Sequence, residues 1–114
     1  MATSRSSSRR PSSWTAGALL YSGRPNPVWK VDGRRARRLV RLWTSLDVAE
    51  GPRPRSPSLG YRGCILREDT HREWTAYGGV VTLSASGRLE MRRDDQREFE
   101  RGVLATAPEG VPIA

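Results

Sequence analysis

Asp32-Gly33-Arg34-Arg35-Ala36-Arg37-Arg38-Leu39-Val40-Arg41-Leu42-Trp43-Thr44-Ser45-Leu46 is the stretch on which the reading of this chain turns. At about 100° per residue, Ala36, Leu39, Val40, Leu42, Trp43 and Leu46 fall within one arc, and Arg34, Arg37, Arg38 and Arg41 fall on the opposite one. The pattern predicts a helix from Gly33 to Leu46 that docks its apolar stripe on a core and leaves four arginines in water. Asp32 is its cap, because an aspartate there accepts the unpaired amides of the first turn and opposes the positive helix terminus. Arg35 lies at the boundary of the two arcs, where its alkyl stem covers apolar surface.

Upstream, Ala16 to Tyr21 is a short apolar run closed by Ser22-Gly23-Arg24-Pro25-Asn26-Pro27, where glycine and two prolines forbid helix and central strand alike. This predicts a strand and then a rigid loop, with Val28-Trp29-Lys30-Val31 a further short extended piece. Downstream, Gly51-Pro52-Arg53-Pro54-Arg55-Ser56-Pro57 reads as an extended linker within 50–58. Pro54 and Pro57 have PxxP spacing but lack the flanking cation that orients such ligands. From Tyr61 the apolar period becomes two. Tyr61 to Glu68, Trp74 to Leu83 and Arg88 to Arg92 read as an antiparallel meander, with Gly78-Gly79 marking a bulge or a close backbone approach. Asp94 and Asp95 then cap a second helix running to about Ala107, stopped by Pro108 and Gly110.

These elements define an α+β domain in the order β-α-β-β-β-α, a small four-stranded, mostly antiparallel sheet with two helices on one face and the other face partly wet. With 114 residues there is room for one core. Residues 1–13 read as a disordered basic Ser/Arg-rich arm, 14–108 as the domain, and 109–114 as a tail. Ser8-Arg9-Arg10 has the two arginines of an export signal, but Pro11-Ser12-Ser13 stands where bulky apolar residues belong and 16–21 is too short for an export core. Cys64 is the only cysteine, which excludes an internal disulfide and any multi-cysteine metal site and favours a cytoplasmic protein. No apolar run reaches the ~20 residues that a helix needs to span a bilayer.

The formal charge of +8 comes almost wholly from arginine, Lys30 being the single lysine. Such a surface attracts polyanions or acidic protein faces. Arg34, Arg37, Arg38 and Arg41 are the first candidate binding group. Arg24 is the second, presented with Asn26 from the proline-stiffened loop, where a guanidinium suits bidentate contact with a carboxylate or phosphate; internal pairing of Arg24 is the competing reading. A third arrangement is a pocket between this loop and Gly60 to Gly63, in which Arg24, Arg62 and Tyr61 or Tyr77 converge as a small enzyme's site.

Dedicated chemistry is otherwise missing. Cys64 lies mid-strand and His71 in the following turn, so a nucleophile and base pair would need a fold that closes that gap. Asp69-Thr70-His71 offers at most two adjacent metal ligands. Asp94, Asp95 and Glu98 are explained by capping and by pairing with Arg97 and Arg101. No catalytic residue, metal or cofactor is expected. Helix-turn-helix, zinc-finger and RRM signatures are absent, so nucleic acid is a weakly specific partner at best. The expected function is therefore a non-catalytic binding or accessory protein that docks an acidic partner or anionic ligand.

Ser22-Gly23-Arg24-Pro25-Asn26-Pro27-x-Trp29, Leu59-Gly60-Tyr61-Arg62-Gly63, Tyr77-Gly78-Gly79 and a terminal Leu104-Ala105-Thr106-Ala107 together resemble a family of small bacterial proteins with no assigned activity. The resemblance covers 16–107. It implies one domain with this order of elements and no catalytic residue.

Overall fold

The computed structural model describes residues 13–20, 25–52, 54–55, 60–69 and 71–111. Eight elements succeed one another along the chain: β1 (Trp14–Ala18), β2 (Val28–Val31), α1 (Gly33–Ser45), β3 (Cys64–Glu68), β4 (Arg72–Tyr77), β5 (Val80–Ala85), β6 (Arg88–Arg93) and α2 (Glu98–Leu104). The strands form one six-stranded sheet in the order β2-β1-β3-β4-β5-β6, antiparallel at every pair.

The sheet thus has six strands where the sequence predicts four, for two reasons. Val28–Val31 is a full edge strand, pairing Trp14 with Val31 and Gly17 with Val28. The expected strand Trp74 to Leu83 is two strands joined at Gly78-Gly79. Those glycines have φ of 66° and 82°, the doubly positive geometry of a two-residue hairpin turn, which glycine adopts without steric cost. The turn reverses the phase of the alternation, so Ala76 faces the same side as Val81 and Trp74 the same side as Leu83. Ser86-Gly87, with φ of 51° and 75°, makes the equivalent turn into β6.

Both helices cover one face. Ala36, Leu39 and Trp43 of α1 and Phe99 and Val103 of α2 join Trp14, Trp29, Leu66, Trp74 and Val81 in one buried cluster. All four tryptophans are within it, none more than 6 % exposed, which is how a chain only 36 % apolar fills a core. The Trp29 Nε1–H donates to Thr106 Oγ1 at 2.8 Å and so ties the β2 edge to the turn after α2.

The second helix is shorter than the span from Asp94 to Ala107, and its cap acts at a distance. Arg97 occupies the position before the helix with φ of 55° and makes no side-chain cap. The buried carboxylate of Asp94 instead accepts from the Phe99 and Glu100 amides, 3.1 Å each, which satisfies two of the donors a helix start leaves unpaired. Asp95 and Glu98 are exposed and pair with no arginine among the described residues.

The first helix is held at both ends. Asp32 Oδ1 accepts the Arg35 amide at 2.9 Å, as predicted from the sequence. At the other end Arg92, from β6, places its guanidinium 4.8 Å from the Trp43 ring centre and donates through Nη1 to the carbonyls of Trp43, Thr44 and Leu46. A cation at the negative helix end is favourable twice over, by charge and by satisfying orphan carbonyls.

The described residues of the Pro-rich segment form no helix or strand, and together with the residues leading into it they do more than space the two halves. Ala49 N donates to Met91 O at 2.9 Å and Arg93 N to Asp47 O at 2.7 Å, which closes part of the β6 edge. Further on, Pro54 packs close to Gly78, where a Cβ would lie 3.2 Å from Pro54 Cβ. Asp47 to Pro52 and Pro54 thus pass from the β6 edge onto the uncovered sheet face.

Candidate functional site: the arginine face of the first helix

Helical spacing sets Arg34, Arg37, Arg38 and Arg41 on the side of α1 away from the core, and all four are exposed. From Gly33 to Ser45 there is no acidic residue to neutralise them. None of the four has a side-chain hydrogen bond or ion pair among the described residues. Arg35, at the boundary of the arcs, behaves differently: its Nη2 donates to Ala105 O at 2.9 Å and ties α1 to the end of α2.

The strand arginines show the contrast. Arg67 reaches Glu73 at 2.9 Å, Arg72 reaches Glu68 at 2.6 Å, and Arg92 reaches Glu90 at 2.7 Å. Among the described residues Arg67, Arg72 and Arg92 are thus neutralised by carboxylates, whereas the four arginines of α1 are bare, as are Lys30, Arg88 and Arg93 on the edge strands. From Arg34 to Arg41 the stripe runs about 10 Å along the helix at ~1.5 Å per residue. Exposed guanidinium groups at that spacing attract anionic groups.

The other expected site residues do not join this stripe. Arg24 lies outside the described residues. Asn26 Oδ1 accepts the Leu20 amide at 2.7 Å, a contact that closes the loop. Arg62 lines a groove of about 170 Å³ with Leu19, Pro54, Thr75, Tyr77, Val80 and Thr82 on the uncovered side of the sheet. Tyr61 does not line that groove. Its hydroxyl donates to Glu100 Oε2 at 2.5 Å and its ring centre lies 6.2 Å from that of Tyr77, so of the residues expected to converge with Arg24, those that line one groove are Arg62 and Tyr77, and Tyr61 stands beside Tyr77.

Glu100 is a group the sequence reading missed. It is 4 % exposed, with Oε2 held by Tyr61 and Oε1 buried without a partner. Cys64 lies beside it, its Sγ 3.7 Å from Glu100 O. Burial first, and then the hydrogen bond to Glu100, pushes the Tyr61 hydroxyl well above its ordinary range. Burial and the Glu100 charge do the same to the Cys64 thiol. Thiolate is the reactive form, so this thiol is inert. His71 sits in the turn beyond the other end of β3, exposed, and the two do not form a nucleophile and base. Iodoacetamide is expected to label native Cys64 slower than the urea-unfolded chain by a factor on the order of 10³, in proportion to the unfolded fraction; fast labelling of native protein would contradict the burial.

Among the described residues no three His, Cys, Asp or Glu side chains group as metal ligands, and no helix is long and apolar enough to cross a membrane. Comparison with protein-family models, with curated proteins and with solved structures finds no match.

Proposed function

We propose that this protein is a non-catalytic binding or accessory protein that docks an acidic partner protein or anionic ligand through the outer face of α1. One observation carries the reading: four exposed guanidinium groups share a helix face without internal partners, while Arg67, Arg72 and Arg92 each have a carboxylate. Bare cations on a rigid element raise association rates with acidic surfaces and fix orientation. The helix is rigid because Asp32, Arg35 and Arg92 anchor it. The lone cysteine supports a cytoplasmic setting.

The variant in which Arg34, Arg37, Arg38 and Arg41 are all glutamine tests this. Its stability should stay within about 0.5 kcal/mol of wild type, since the four groups are on the surface and unpaired. Its affinity for polyglutamate at low salt should fall by about tenfold or more, roughly 0.4 kcal/mol or more per charge removed. Arg24→Ala, in the same assay, tests the loop. Random duplex DNA is the competing partner; four phosphate contacts would give a log-log salt slope near −3.6, at ~0.9 per contact. Equal binding of polyglutamate by the variant and wild type would refute the proposal.

A further inference from the structure

Arg34, Arg37, Arg38 and Arg41 stand at i, i+3, i+4 and i+7 of α1, which makes them two staggered rows and not one line. Arg34 and Arg38 are ~6 Å apart along the axis, as are Arg37 and Arg41, and the second row starts ~4.5 Å beyond the first, at ~1.5 Å per residue. The block lies close to the helix. The Arg37 guanidinium folds back over Gly33, where a Cβ would lie 2.8 Å from its Nη1, in the direction that helical side chains lean. Val40 and Leu42 flank the block on opposite sides, each half-buried against the core.

This arrangement favours one anionic shape over others. An extended chain aligns its alternate side chains in a single row at ~6.6 Å, and the phosphates of one nucleic-acid strand follow a single line as well. Either serves one row of arginines at a time. An α-helix with carboxylates at i, i+3, i+4 and i+7 repeats the same staggered block, its neighbours about 5–6 Å apart, and laid alongside α1 it offers each guanidinium fork a carboxylate. A helix about 10 Å across also covers the apolar margins at Val40 and Leu42, which a line of phosphates would leave wet.

We infer that the docking partner of α1 presents an acidic α-helical face; this rests on the docking reading of the same four arginines. A second copy of the chain does not fit the part. Among the described residues α1 has no acidic side chain, and α2 has exposed Glu98 alone, Glu100 being buried.

The probes are two fluorescent, alanine-rich peptides of about eighteen residues, long enough to hold a helix. Each carries four glutamates, at i, i+3, i+4 and i+7 in one and five residues apart, hence spread around the helix, in the other. Circular dichroism checks that both are equally helical. With the full chain at low salt, the one-face peptide should bind about fivefold tighter, because two further arginines find a carboxylate. Two central prolines, which break a helix, should bring it down to the level of the spread peptide. The four-glutamine α1 variant should bind all three weakly and alike. Equal affinity of wild type for the three peptides, with loss of all three in the variant, would overturn the helical partner and leave the docking face standing; binding undiminished in the variant would overturn both. Tighter binding, per anionic charge, of a random DNA duplex than of the one-face peptide would also overturn the helical partner.

Discussion

Trp74→Ala is expected to cost about 3–5 kcal/mol, enough to unfold a domain whose total stability is of the order of 5 kcal/mol, whereas Trp74→Phe is expected to remain folded. Trp74 is fully buried and lies at the middle of β4, between Leu66 of β3 and Leu83 of β5. Its ring is stacked on Trp14 with 6.0 Å between centres, and the Arg72 guanidinium lies 4.8 Å from it. Truncation to alanine opens a cavity beneath both helices that strands paired on either side cannot close. Phenylalanine keeps most of the contact. The indole Nε1 is buried without an acceptor, so its removal relieves an unsatisfied donor, and the net cost should be about 1.5 kcal/mol or less. Urea unfolding followed by circular dichroism distinguishes the two; equal losses would contradict the packing described.

Arg92→Ala should be the most damaging arginine substitution, at about 2–4 kcal/mol. The side chain supplies charged hydrogen bonds to three carbonyls at the end of α1, a cation–π contact with Trp43 and an ion pair with Glu90. Arg92→Lys should restore less than half, because an ammonium cannot serve several carbonyls and a ring face at once. Arg67→Ala, which loses an exposed pair, should cost no more than about 1 kcal/mol. Amide exchange from Leu42 to Leu46 should accelerate in the Arg92 variants as the helix end frays. Equal effects at Arg92 and Arg67 would show that the clamp contributes nothing.

Trp74 and Arg92 also mark where sequence reading succeeds and where it stops. The helix from Gly33 onward was legible because its whole signal is local: an aspartate cap, an apolar arc and an arginine arc within four turns. The β strands were legible as period two, and their number was not. Gly78-Gly79 sits between two alternating runs, and a hairpin there differs from a bulge only in the phase of the second run. Val28–Val31 has a single partner strand, so half its residues are exposed and it lacks an apolar run. Asp94 was recognised as a cap, but Arg97 in the left-handed region shifts the helix start beyond it.

Arginine roles were the least legible. Nothing local separates Arg92, which serves a carbonyl 49 positions away, from Arg93, which has no ion pair among the described residues. Glu100 beside Phe99 likewise reads as a solvated helix charge until Tyr61, 39 positions away, is found on it. By contrast, the bareness of Arg34, Arg37, Arg38 and Arg41 was foreseeable, because no carboxylate lies within helical reach of them along α1.

The most direct test is to track the arginine side-chain Nε–Hε signals of the nitrogen-labelled protein during titration with polyglutamate at low salt. The signals of Arg34, Arg37, Arg38 and Arg41 should move together and first, with those of Arg72 and Arg92 unchanged. Shifts spread evenly over all arginines, or static signals on α1 while others move, would contradict a docking face on the first helix.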